Sequence, residues 1–92
     1  YYTERTNVKC NKDSIEIRKL LEKEFSSYTL EKTGDQTGGL KIIFDDKSWL
    51  WFRASKTENG LFRIIADSNS KQKSEELLKL GKEAFGKAVN TL

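Results

Sequence analysis

Leu40-Lys41-Ile42-Ile43-Phe44-Asp45-Asp46-Lys47-Ser48-Trp49-Leu50-Trp51-Phe52-Arg53 is the stretch that decides the fold. Two runs rich in β-branched and aromatic residues flank a polar turn, which is the pattern of two antiparallel strands joined by a tight connection. The reading places strands at residues 40–44 and 48–53 and the turn at Asp45-Asp46-Lys47. In the second strand Trp49 and Trp51 alternate with Leu50 and Phe52, so both faces of the sheet are apolar at this point. The two indoles read as core or domain-interface residues in preference to a stacking platform for bases. Residues 54–60 form a loop, and 61–66 form a third strand that completes an antiparallel meander.

Upstream, Thr33-Gly34-Asp35-Gln36-Thr37-Gly38-Gly39 is a loop, because its three glycines make regular structure costly. A short strand at 28–32 precedes it. Before that, Asp13-Ser14-Ile15-Glu16 reads as a helix start, with Asp13 as N-cap and Glu16 reaching back from the third helical position. Ile17, Leu20, Leu21 and Phe25 recur at helical spacing and extend this helix to about residue 26. Residues 1–9, rich in Thr, Tyr and Val, form the first strand. Downstream, Leu77, Gly81, Ala84, Phe85 and Ala88 share one face of a helix over about 70–89, capped by Ser68 or Ser70. The order β-α-β-β-β-β-α predicts an α+β domain, an antiparallel sheet with two helices packed on one face. The expected core includes Ile17, Leu20, Leu21, Ile42, Phe44, Leu50, Leu77, Ala84 and Phe85.

Ninety-two residues suit a single domain, 1–92. The chain starts at Tyr1 and contains no Met, which suggests a piece of a longer protein or a processed chain. No apolar run approaches the roughly 18 residues that span a bilayer, so no membrane partner is expected. The lone Cys10 suggests no disulfide framework and makes the cytoplasm the default compartment. The net charge of +3 is spread over interleaved Lys and Glu, unlike a clustered nucleic-acid footprint, so nucleic acid is not an expected partner. The absence of His removes the commonest general base and, with a single Cys, most metal sites.

Chemistry concentrates in Arg53-Ala54-Ser55-Lys56-Thr57-Glu58-Asn59-Gly60-Leu61-Phe62-Arg63. A hairpin brings Arg53 and Arg63 to the same end of the sheet, with the hydroxyls of Ser55 and Thr57 and the ammonium of Lys56 between them. Guanidinium forks match phosphate oxygens, and hydroxyls with exposed loop amides complete a concave anion site. No nucleophile or general base accompanies these groups, so the chemistry is binding. Read without other information, the same residues also suit a solvated turn, and Glu58 suits an ion-pair partner for a neighbouring Arg.

The segments Gly38-Gly39-Leu40-Lys41-Ile42-Ile43-Phe44-Asp45-Asp46-Lys47-Ser48-Trp49, Arg53-Ala54-Ser55-Lys56-Thr57-Glu58 and Arg63-Ile64-Ile65-Ala66-Asp67 resemble the C-terminal (fourth) domain of the phosphohexomutase family, the phosphoglucomutases and phosphomannomutases. The resemblance covers about 38–89. It rests on a strand ending in a Ser-Trp turn, an Arg-Pro-Ser-Gly-Thr-Glu-Pro-like loop, a second Arg-bearing strand and a Glu/Lys-rich final helix. It implies a sheet like that of the TATA-box-binding protein. It also implies that Arg53, Ser55, Lys56 and Thr57, supported by Arg63, grip the non-transferred phosphate of a phosphohexose. By the same resemblance this chain closes over an active site built by preceding domains of the same polypeptide. Those domains would supply a phosphoserine and Mg²⁺, and this piece would carry neither and be inactive alone. Ala54 stands where the family has Pro, Lys56 where it has Gly, and Arg63 comes one residue later. A stand-alone anion-binding, nucleic-acid-binding or interaction module is the competing reading.

Overall fold

The protein is described here by a computed structural model covering residues 2–10, 12–32, 39–44, 46–54 and 60–92. Seven elements follow in the expected order: β1 (Tyr2–Lys9), α1 (Ser14–Glu24), β2 (Thr29–Lys32), β3 (Leu40–Ile43), β4 (Trp49–Ala54), β5 (Leu61–Ser68) and α2 (Lys71–Thr91). The five strands form one sheet in the order β1-β5-β4-β3-β2, antiparallel at every pairing. The meander β2 to β5 runs between neighbours. Only β1 departs from it, pairing along its whole length with the last strand. The α1 segment therefore carries the chain from one edge of the sheet to the other. No helix among the described residues is long and apolar enough to cross a membrane.

Cross-strand partners point to the same side of a sheet, so the registers sort the residues into two faces. Leu40, Ile42, Leu50, Phe52, Phe62, Ile64 and Ala66 form the buried face. Helix α1 covers it with Ile17 and Leu21, and α2 with Ser74, Leu77, Gly81, Ala84, Phe85 and Ala88. Phe25 meets Phe52 at 6.1 Å and Phe62 meets Phe85 at 4.9 Å between ring centroids. Gly81 lets α2 lie close against the sheet. A Cβ there would fall 2.9 Å from both Ile64 Cγ2 and Leu50 Cδ1.

The helix ends follow their caps. Asp13 accepts the Ile15 N–H at 2.8 Å, as expected. Glu16 instead lies 3.7 Å from Lys19, one turn ahead of it. Helix α1 stops two residues before the expected end because Phe25, as C-cap, leaves helical geometry (φ −105°, ψ 26°) and turns its ring into the core. For α2 the open choice falls on Ser70, whose hydroxyl accepts the Lys73 N–H. Ser68 is buried in the sheet, 2.7 Å from the buried Ser74 hydroxyl, which donates to the Tyr2 carbonyl at 2.5 Å. This polar joint ties α2 to the edge strand β1.

Two expected core residues are corrected. Leu20 and Phe44 are half-buried at the rim of the core. In α1 the apolar face is rotated so that Ile17 and Leu21 point straight at the sheet, leaving Leu20 on the flank. Phe44 falls just past the end of β3, where its N–H bonds the Ser48 carbonyl and its ring meets Tyr28 edge-on at 5.0 Å. The β3–β4 turn closes with Lys47 in the left-handed region (φ 68°) and with the Asp46 carboxylate accepting from the Ser48 N–H and hydroxyl.

Candidate phosphate site on the open sheet face

The face of the sheet that no helix covers is built from alternate residues of every strand. Its rows read Thr3–Asp67–Trp49–Ile43–Thr29, then Arg5–Ile65–Trp51–Lys41–Glu31, then Asn7–Arg63–Arg53, then Lys9–Leu61. Arg53 and Arg63 are thus direct cross-strand partners on this face, at the end of the sheet where β4 and β5 are joined. A hairpin alone brings the two residues to a shared end, and the register makes them adjacent. Ser55, Lys56, Thr57 and Glu58 lie outside the described residues.

Trp51, two residues before Arg53 on the same face, carries the Arg53 guanidinium over its ring at 5.3 Å. Lys41 lies over Trp49 at 4.5 Å. Both distances are within the range of cation–π attraction, about 6 Å. The two indoles are half-buried and belong to the open face, so the alternative that placed them in the core is corrected. The pleat sends Leu50 and Phe52 to the helices and leaves the indoles on the other side. The Trp51 indole N–H is buried and has no hydrogen-bond partner among the described residues.

Charge is distributed unevenly over the molecule. The open face bears Arg5, Lys9, Lys41, Arg53 and Arg63 against Glu31 and Asp67, and Asp67 accepts a hydrogen bond from Thr3 at 2.8 Å. The ion pairs among the described residues use other cations: Arg18, Lys19, Lys32, Lys73 and Lys87. The rows Asn7–Arg63–Arg53 and Lys9–Leu61 at one end of the sheet therefore hold three cations and, among the described residues, no carboxylate. Such a surface can bind an anion. Among the described residues no group of three Cys, Asp or Glu side chains is placed to hold a metal ion.

Sequence reasoning missed the contribution of β1. Arg5, Asn7 and Lys9 alternate along the strand, a signal that they share a face, but nothing local says which strand they lie beside. Compared with protein-family models and with curated proteins, the chain finds no match.

Proposed function

We propose that this chain is the phosphate-binding, C-terminal domain of a cytoplasmic phosphohexomutase of the phosphoglucomutase or phosphomannomutase type. It holds the non-transferred phosphate of a phosphohexose through Arg53, Ser55, Lys56 and Thr57, with Arg63 in support. The observation that carries the reading is the direct pairing of Arg53 with Arg63 at the hairpin end of β4 and β5. Like charges on directly paired strand positions are unfavourable, and a dianion held by both side chains turns that cost into two charge-assisted contacts. A clamp that reads only phosphate suits a mutase, whose substrate must be gripped in either orientation. The phosphoserine and Mg²⁺ of the reaction belong in this reading to the preceding domains, and the chain alone is inactive.

The test is an amide-shift titration with inorganic phosphate, glucose 1-phosphate and mannose 1-phosphate. All three should move residues 53–57 and 63 alike, with millimolar-range affinity, about 4 kcal/mol, since the site is open to solvent. Arg53→Ala should weaken the response most and Thr57→Val less, by about the value of one neutral hydrogen bond, roughly 1 kcal/mol. Shifts that avoid residues 53–57, or an Arg53→Ala variant that titrates like the parent, refute the clamp. Conversion of glucose 1-phosphate by the purified chain refutes its assignment as a binding domain only.

A second reading, a stand-alone nucleic-acid or interaction module, is favoured by one observation: Trp49 and Trp51 lie on the open face among cations lacking described ion-pair partners. A salt-dependent gel shift with single-stranded DNA or RNA, lost in Trp51→Ala, supports it over the mutase reading.

A further inference from the structure

The geometry points to an anion site that extends beyond the β4–β5 hairpin onto the edge strand β1, with Asn7 as a phosphate-binding residue. The inference shares Arg53 and Arg63 with the mutase reading but needs none of the hairpin residues between them.

The row Asn7–Arg63–Arg53 crosses three adjacent strands on one face, each residue the direct register partner of the next. Two local rules are broken in this one row. Asn is depleted from strands, yet Asn7 is paired within β1, two residues from its end, with Thr6 and Val8 on either side showing what a strand normally takes. Like charges directly opposite each other are destabilising, yet Arg63 faces Arg53. Departures from local preference concentrate where function requires them. Both departures are accounted for by one ligand, an anion seated across the three strands.

The surroundings agree. The next same-face residues along β1 on either side of Asn7 are Arg5 and Lys9, both exposed. Among the described residues the acids of the open face lie elsewhere: Asp67 is two rows away and engaged by Thr3, and Glu31 is on the far edge strand opposite Lys41. Arg53 is held along the sheet by the Trp51 ring, leaving Arg63 and Asn7 exposed beside it. Neighbouring side chains in such a row start about 4.5–5.5 Å apart at Cβ. A tetrahedral dianion can therefore receive an Arg fork from β4, another from β5 and the amide N–H of Asn7 from β1. Asn supplies a donor without adding a further positive charge to a crowded cationic patch. A planar monoanion such as acetate has neither the charge nor the oxygen geometry to use all three donors.

The experiment titrates the intact chain with inorganic phosphate, sulfate and acetate, following the Asn7 side-chain amide, the Arg63 Nε–H and the backbone amides of 53–57. Phosphate and sulfate should move the Asn7 and Arg63 side chains together, and acetate should move them little. Asn7→Thr should be at least as stable as the parent in phosphate-free buffer, because Thr is the better strand former. It should nevertheless bind phosphate about fivefold more weakly, the equivalent of one neutral hydrogen bond. Asn7→Asp, which sets a carboxylate beside Arg63, should reduce binding about tenfold or more. Unchanged phosphate affinity in Asn7→Thr, or an Asn7 amide that stays still at saturation, overturns the inference. If the hairpin amides respond and Asn7 does not, the hairpin clamp stands and its extension fails. If Asn7 and Arg63 respond while the hairpin amides do not, the strand site stands and the hairpin clamp fails.

Discussion

Gly81 and Leu50 should show opposite behaviour singly and together, because one occupies the space that the other would need. Ala at position 81 gains helix propensity, about 1 kcal/mol over Gly in a helix interior. Its methyl would fall 2.9 Å from Ile64 Cγ2, 2.9 Å from Leu50 Cδ1 and 3.2 Å from Leu50 Cδ2. Both neighbours are fully buried, and Ile64 is branched at Cβ, so neither yields freely. Overpacking of this kind costs roughly 1–3 kcal/mol, and Gly81→Ala should be net destabilising by about 1 kcal/mol. Leu50→Ala alone should cost about 2–5 kcal/mol through lost burial and a cavity. In that background both Leu50 contacts are gone and Ile64 can shift into the vacated space. Gly81→Ala should then stabilise by about 1 kcal/mol, giving a coupling energy near 2 kcal/mol in a double-mutant cycle. Urea denaturation followed by tryptophan fluorescence and far-UV circular dichroism measures all four proteins. If Gly81→Ala has the same sign and size in both backgrounds, α2 does not press on β4 and β5 at this glycine, and the packing argument fails.

Ser74→Ala should cost about 1–3 kcal/mol, since it leaves the Tyr2 carbonyl without its buried donor. The loss should appear first as faster amide exchange along β1, and unchanged exchange there would refute the joint between helix and edge strand. Leu21→Ala should cost about 2–5 kcal/mol and the half-buried Leu20→Ala clearly less. Equal midpoints for these two variants in urea would show that the face of α1 has been misassigned.

The elements themselves were legible because each is dictated by local chemistry. Apolar periodicity and capping residues such as Asp13 act within a few positions of the chain, so strands and helices could be placed to within about two residues, while most of the glycine-rich loop at 33–39 lies outside the described residues. The proximity of Arg53 and Arg63 was legible for the same reason, since a short connection between antiparallel strands leaves their joined ends together. The fold class followed from element order, because two amphipathic helices flanking an antiparallel meander must bury their apolar stripes against it.

What only the tertiary structure decided is set by contacts between residues far apart in the chain. Nothing near residues 2–9 states that β1 pairs with β5, whose partners begin more than fifty positions later, and so nothing local brings Asn7, Arg5 and Lys9 beside Arg63. The same closure selects which of two adjacent leucines in α1 is buried, because both lie on its apolar stripe and only docking fixes the rotation. It also sends Leu50 and Phe52 toward the helices and Trp49 and Trp51 to the open face. Both pairs are apolar enough for either side, and the helices can cover only one. Local periodicity specifies which residues share a face, whereas the choice of the face that meets the core is made by long-range packing, in which every strand's burial depends on its neighbours'.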